Sequence, residues 1–428
     1  MLERLGNILV NIKENKNFRN GVLFSLFSFF NSGINFLIAT VLAWYISPDS
    51  YGMLSLFTTV VSLFTIFICL NTNGYIGVNF FRLSKLKICS LINVVLITSI
   101  VVFAVLLLLT IAFRATLQVT FGLPYIYYVF AISYCFFYVF YSLLMDIWRL
   151  EGKVWKYGIL SSLLVVLNLF LTLLFVKRLS LDWPGRVYAQ LIACIIFFVV
   201  STVILIKKGY IKRILPTKKE AVECYKFALP LVPHSTSFWL RQGCDRYIIN
   251  LFLSQSMVGF FSFASNFGNI IQIIGFAFNS SNSVDIYQTL SSKDNDKFRR
   301  LNNQCRLLIV FYILLTIVVI LLSSLLIPWA FPKYRDSVVY LFPLCVGSMF
   351  QCFYLVYVNI IIFYKKTTRL MYITLSFSLL HTILSVLLTR YGVIYTAYIS
   401  VLSNMLIFVG VYRYSKRIIN ENINIKLA

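Results

Sequence analysis

PLVPHSTSFWLRQGCDRYIINLFLSQSMVGFFS, residues Pro230 to Ser262, places Arg241, Asp245 and Arg246 in the middle of a hydrophobic segment that also carries Pro230, Pro233 and His234. A helix at a protein–water surface turns such charges outward and its apolar stripe inward. Whether water is available on that outer side decides what this segment is. The flanking sequence answers the question.

The chain has 428 residues, 60% of them hydrophobic and only 12% charged. A soluble domain carries about a quarter charged residues. The composition therefore implies an integral membrane protein. Runs such as 88–113 and 307–331 contain no charge at all, which indicates helices; a spanning barrel alternates over stretches of roughly 10 residues. The expected fold is all-α, with about twelve spans over 18–46, 51–73, 87–113, 124–148, 156–177, 186–206, 225–253, 258–289, 303–330, 337–363, 369–390 and 393–415. Residues Met1–Asn17 set Leu2, Leu5, Leu9 and Ile12 at helical spacing, as expected for a short helix on the membrane surface. The 9 cysteines are scattered through apolar runs without a CxxC or Cys/His grouping, so they read as packing residues, with no metal site.

A net charge of +24 raises nucleic acid as a partner. Its distribution argues against that. With alternate loops assigned to opposite sides, one side collects the N-terminal basic residues together with Arg82, Lys85, Lys87, Arg149, Lys153, Lys156, the 207–226 cluster, the 293–306 cluster, Lys365, Lys366, Arg369 and the C-terminal group. The other side holds only Arg114, Lys177, Arg178, Arg186, Lys333, Arg335 and Arg390. The richer side is expected to be cytoplasmic, with both termini inside. The same charge attracts anionic membrane lipids.

The basic connection 207–226, KKGYIKRILPTKKEAVECYK, divides the chain into an N-terminal six-helix lobe, 1–210, and a C-terminal one, 211–428. The lobes echo each other. ISPDSYGMLS (Ile46–Ser55) and LSQSMVGFFS (Leu253–Ser262) match Ser47 with Ser254, Gly52 with Gly259 and Ser55 with Ser262 at one constant offset. Two pseudo-symmetric lobes around a central cavity, rocking between two states, follow from such a duplication. No P-loop, HExxH or GxSxG signature competes, so no catalytic residue is assigned.

The segment 225–253 alone keeps charges away from its ends. Arg241 falls about 22 Å along from Lys226 at 1.5 Å per residue, past the middle of a roughly 30 Å core. His234, Arg241 and Asp245 fall within roughly 40° of one another on a continuous helix, a stripe expected to face a water-filled cavity. Arg241 and Asp245 are also spaced to neutralise each other, which leaves Arg246 in excess and the stripe net positive. Two uses remain open: binding or coupling through Arg241, Asp245, Arg246 and His234, or a purely structural pair. Pro230 and Pro233 read as a fixed kink or as a hinge.

The residues Pro230, Pro233, His234, Ser235, Asp245, Arg246, Tyr247, Gly259 and Ser262 resemble the helix 7–8 segment of Wzx-type polysaccharide flippases, members of the multidrug/oligosaccharidyl-lipid/polysaccharide (MOP) transporter superfamily. Phe261 stands where that family usually has tyrosine. ISPDSYGMLSL and Trp148–Val176 are similar to its helix 1–2 and helix 4–5 regions. The resemblance implies an undecaprenyl-pyrophosphate-linked oligosaccharide moved across a bacterial inner membrane, with a polysaccharide polymerase and a chain-length regulator as partners. No organic cofactor is expected. The coupling ion, H+ or Na+, is left open. A cation-coupled drug exporter of the same superfamily is the alternative, disfavoured by the scarcity of intramembrane acids. A polymerase or ligase is a further one, disfavoured by short outside loops.

Overall fold

The charge-free runs form long helices whose apolar side chains point outward as well as inward. The computed structural model describes residues 16–292 and 296–427. Leu108 is 67% exposed, Leu307 72% and Leu325 74%, a degree of apolar exposure that suits lipid rather than water. The helices are α1 (Lys16–Tyr45), α2 (Pro48–Ile68), α3 (Asn73–Asn79), α4 (Lys85–Ala112), α5 (Arg114–Phe121), α6 (Tyr125–Leu150), α7 (Val154–Thr172) and α8 (Asp182–Lys207). They continue as α9 (Lys218–Ala228), α10 (Leu231–Gln242), α11 (Cys244–Phe252), α12 (Gln255–Ser291), α13 (Lys297–Ala330), α14 (Val338–Phe363), α15 (Thr367–Leu388) and α16 (Val393–Leu427).

Among the described residues, 11 helices are long and apolar enough to cross a bilayer. The expected twelfth, 225–253, is a correction: it is broken into the end of α9, then α10 and α11. The physical reasons are local. Pro230 sits at the α9–α10 junction, where it cannot continue the hydrogen-bond ladder, whereas Pro233 lies in the first turn of α10, where no donor is needed. Gly243 separates α10 from α11. The surface helix expected over Met1–Asn17 lies outside the described residues, apart from Lys16 and Asn17, with which α1 opens.

The chain folds as two units. The first comprises the described residues up to Ile38 and Phe57–Ser235. Within it α6 packs on α8, α4 and α7. The basic 207–226 connection lies along α4 of this unit. Thr217 and Glu220 form a reciprocal capping box at the start of α9, and Ser90 of α4 donates to Glu220 Oε2 at 2.7 Å. Asn93 donates to the carbonyls of Lys212 and Ile214 at 2.8 and 2.6 Å. The backbone N–H of Thr217 holds the Glu220 carboxyl below its ordinary range, aided by Ser90.

The second unit comprises Ala39–Leu56 and the described residues from Thr236 onward. Its centre is α14, packed on α12, α13 and α16. The buried Lys297 ammonium donates to the carbonyls of Leu290 and Ser292 at 2.9 and 3.0 Å, neutralising the C-terminal end of α12.

Within this unit the N-terminal turns of α2 and α12 meet around a local two-fold axis, and every matched position of the echo has a job there. Ser47 accepts from the N–H of Ser50 and Ser254 from that of Met257, so both serines cap their helices. Gly52 lies against the carbonyl of Gln255, and Gly259 against the carbonyl of Pro48, a reciprocal pair of close approaches. Two pairs related by the offset of 207 residues contact each other directly: Ser256 donates to Asp49 at 2.6 Å, and Ser55 to Ser262 at 2.6 Å. A Cβ on either glycine would overlap a backbone oxygen, which a side-chain rotation cannot relieve. Gly52→Ala and Gly259→Ala should each destabilise the purified protein by about 2 kcal/mol or more. Gly33→Ala, which meets open space, is the control. Equal melting temperatures for all three variants would refute the close crossing.

Candidate functional site

At the α10–α11 break the sequence sets a glycine between two arginines, and the freed backbone is satisfied by one of them. Arg246 donates through Nη1 to the Gln242 carbonyl, which the break leaves without a helical partner. Its Nε donates to Ser55 Oγ at 2.8 Å and Ser262 Oγ at 3.1 Å. Arg246 is therefore seated on the two serines that mark the local two-fold. The neighbouring Tyr247 hydroxyl donates to the Leu56 carbonyl at 3.1 Å.

Asp245 and Arg241 do not pair with each other, contrary to the i,i+4 expectation. Gly243 interrupts the helix between them, so the register of a single continuous helix no longer applies. Asp245 instead accepts from His381 Nε2 at 3.0 Å and Ser385 Oγ at 2.9 Å on one oxygen, and from Ser400 Oγ at 3.3 Å on the other. His381 Nδ1 lies 3.0 Å from Ser403 Oγ. Both side chains of the Asp245–His381 pair are almost wholly buried. Arg241, also buried, donates through Nη1 to Gln351 Oε1 at 3.2 Å and Asn404 Oδ1 at 2.8 Å, with its Cζ 5.7 Å from the Phe238 ring centroid.

Arg241, Asp245, Arg246, Ser400 and Asn404 border a cavity of about 70 Å³ in the second unit, room for a few water molecules. Its walls come from α10, α11, α12, α14 and α16, and its lining is mostly polar. Gln242 donates to Gln272 Oε1 at 3.3 Å, and Gln272 to Ser348 Oγ at 3.1 Å, linking three of those helices. Two guanidinium groups and one carboxylate line the cavity. No group of three or more acidic, histidine or cysteine side chains able to hold a metal occurs among the described residues.

Of the residues singled out from sequence, Arg241, Asp245 and Arg246 come together here. His234 belongs to the first unit, is exposed, and does not line this cavity. The histidine that does meet the carboxylate is His381. A sequence signal for it existed. Thr374, Ser378, His381, Ser385 and Thr389 recur every three or four residues along α15 and its end, and all five are buried. A polar stripe of that period in an otherwise apolar span marks a face turned to protein rather than lipid.

The polysaccharide biosynthesis protein family matches residues 18–283, and the MatE family matches 230–387. A Haemophilus influenzae protein of the Lsg locus is 21% identical over 281 residues, which cover 65% of this chain and 68% of that protein. Among solved structures, an inward-facing multidrug resistance MATE family transporter of the MOP superfamily superposes with a TM-score of 0.76 at 14% identity, covering 91% of this chain and 95% of that one. A MOP superfamily transporter from Pyrococcus furiosus gives 0.66 at 13% identity, covering 94% and 95%. The chain belongs to the polysaccharide biosynthesis protein family. It is a multi-pass membrane protein whose fold is that of MOP superfamily transporters, the superfamily named by the resemblance read from the seventh span.

The shared seat of Arg246 can be tested by substitution. Ser55→Ala or Ser262→Ala alone leaves Nε one acceptor and should cost about 1 kcal/mol of stability. The double variant strips both and should cost more than the sum of the singles. Additive or smaller losses in melting experiments on the purified protein would contradict the shared seat.

Proposed function

We propose that the chain is a flippase that carries undecaprenyl-pyrophosphate-linked oligosaccharide repeat units from the cytoplasmic to the periplasmic leaflet of a bacterial inner membrane. The observation that carries this reading is the sign of the cavity at the α10–α11 break. Two guanidinium groups face one carboxylate there, and the carboxylate is already engaged by a histidine and two serines. A site of that sign suits a phosphate-bearing cargo, whereas a site for cationic drugs needs excess acid. The family match over 18–283 supports a saccharide cargo, and the fold alone is shared with multidrug transporters.

In this reading Arg241 and Arg246 form the positive wall, and Asp245 with His381 forms the coupling group. A carboxylate and an imidazole 3.0 Å apart form a pair that can pass a proton between them, so the coupling ion in this reading is the proton. The breaks at Pro230 and Gly243 let the short helices α9, α10 and α11 shift without unfolding a long one.

Cells deprived of the protein should accumulate lipid-linked repeat units in the cytoplasmic leaflet. Accumulation in the periplasmic leaflet would instead mean a later step and would sink the flippase reading. In vesicles containing the purified protein, an imposed pH gradient should drive translocation and a sodium gradient should not. The reverse result would remove the proton from the mechanism. Asp245→Asn should lower translocation at least tenfold at normal protein abundance.

A further inference from the structure

A buried acid or base changes its charge readily only where the groups around it can reverse their hydrogen bonds as it does so. Guanidinium groups cannot, because they only donate. A hydroxyl can, because its single hydrogen turns about the C–O bond and its oxygen also accepts. The side chains that hydrogen-bond to the buried Asp245–His381 pair are Ser385, Ser400 and Ser403, so every one is a hydroxyl.

Two of the three have a second acceptor. Ser400 Oγ lies 3.3 Å from Asp245 Oδ2 and 3.3 Å from the carbonyl of Thr396, one turn back on α16. Ser403 Oγ lies 3.0 Å from His381 Nδ1 and 3.2 Å from the carbonyl of Ser400. Each of these serines has one hydrogen and two acceptors within reach. Ser378, equally buried on α15, instead donates to the Thr374 carbonyl of its own helix.

We infer that Ser400 and Ser403 are positioning residues of a proton-exchange site, turning their hydrogens towards the Asp245–His381 pair when it is unloaded and towards their own helix when it is loaded. In the unloaded state the carboxylate accepts from His381 Nε2, Ser385 and Ser400, and His381 Nδ1 accepts from Ser403. A proton then arrives from solvent water admitted to the cavity, which Asp245 and Ser400 both line. One O–H bond of a hydronium ion breaks, and one forms on Asp245 Oδ2. The new O–H donates to Ser400 Oγ, and the Ser400 hydrogen swings to the Thr396 carbonyl. Ser403 offers Nδ1 the same exchange, with the Ser400 carbonyl as its second acceptor. Each polar atom of the pair keeps a partner in both states, while the charge of the pair rises by one.

The surrounding charges do not titrate with it. Arg241 on α10, Arg246 on α11 and Arg390 just beyond α15 stay charged. α14 and residues 393–411 of α16 contain no charged residue. Cys244, beside Asp245, and the tyrosines of α14 and α16 are of types that ordinarily ionise above about pH 8. The inference deepens the proposed function and rests on it for the use made of the proton.

The chain has only 2 histidines, so isotope labelling of histidine ring nitrogens in the full-length protein, with His234→Gln in the background, isolates His381 for NMR in detergent. Infrared spectra report the other end of the pair through the carbonyl stretch of a protonated carboxyl, a band that Asp245→Asn should remove. On acidification from about pH 8 to about pH 4, one of these two signals should show a proton taken up by the folded protein. Ser400→Ala and Ser403→Ala should each move that transition by about half a pH unit or more. Ser400→Thr and Ser403→Thr keep the hydroxyl and should leave it in place. So should Ser378→Ala, which removes a serine whose hydrogen is held by its own helix.

No transition at either end of the pair overturns the inference. So does a transition left unmoved by either alanine variant that folds. Should neither fold, Ser400→Cys and Ser403→Cys, whose thiols are weak donors, take their place. The readout needs no transport. A serine-dependent transition in a protein that flips nothing keeps the exchange site and sinks the flippase reading, and flipping without such a transition does the reverse.

Discussion

Two helices can bring their backbones into contact only where neither places a Cβ between them, and the second unit depends on one such contact made twice. Gly52 admits the carbonyl of Gln255, and Gly259 admits that of Pro48. That approach brings the N-terminal turns of α2 and α12 together closely enough for Ser55 to bond Ser262. The paired hydroxyls then make a seat for Arg246. Seated there, Arg246 reaches the carbonyl left open by Gly243 and so sustains the break between α10 and α11. The break in turn separates Arg241 from Asp245. Each step is a short-range geometric consequence of the one before it, and the first requires two glycines.

The separation has an electrostatic consequence. Had α10 and α11 been continuous, an i,i+4 pair would have cancelled most of the charge locally. Here Arg241 is met by two amide oxygens, and Asp245 by an imidazole and two hydroxyls. Neutral dipoles solvate each charge without neutralising its neighbour, so the cavity keeps a net sign. An arrangement chosen for stability alone would favour a close pair or an apolar replacement. Polar groups from α12, α14, α15 and α16 converge on three charges of one interrupted segment instead, and that convergence is what a binding or coupling site requires.

Most of the helices were legible because lipid imposes a simple rule: roughly twenty apolar residues between polar ends. The matched serines and glycines of the two echoing turns were legible too, and the structure gives each a specific contact. The interruption of the seventh span was not. Pro230 and Gly243 were visible in the sequence, but a proline can kink a helix as readily as end it. Which outcome prevails depends on whether the freed carbonyls find partners. Here the partner of the Gln242 carbonyl is Arg246, fixed by Ser262 and by Ser55, the latter 191 residues away in sequence. The true partner of Asp245 was hidden for a related reason. His234 and Asp245 sit in one stretch of sequence, whereas His381 reaches the carboxylate only through the packing of α15 on α11.

The offset that aligns the two turns also shows what was added to one copy alone. Carried back along the same register, Arg241, Asp245 and Arg246 fall on Ile34, Ile38 and Ala39 of α1. The equivalent stretch of the first copy is thus a continuous apolar span, and it folds as one. The crossing glycines and capping serines are common to both copies and belong to the frame. The charges, the break and the cavity belong to one copy only. A symmetric frame treats its two copies alike. It cannot by itself supply a direction or a preference for one sign of charge. Those have to come from the residues that break the repeat, and in this chain the residues that break it are the ones that line the cavity.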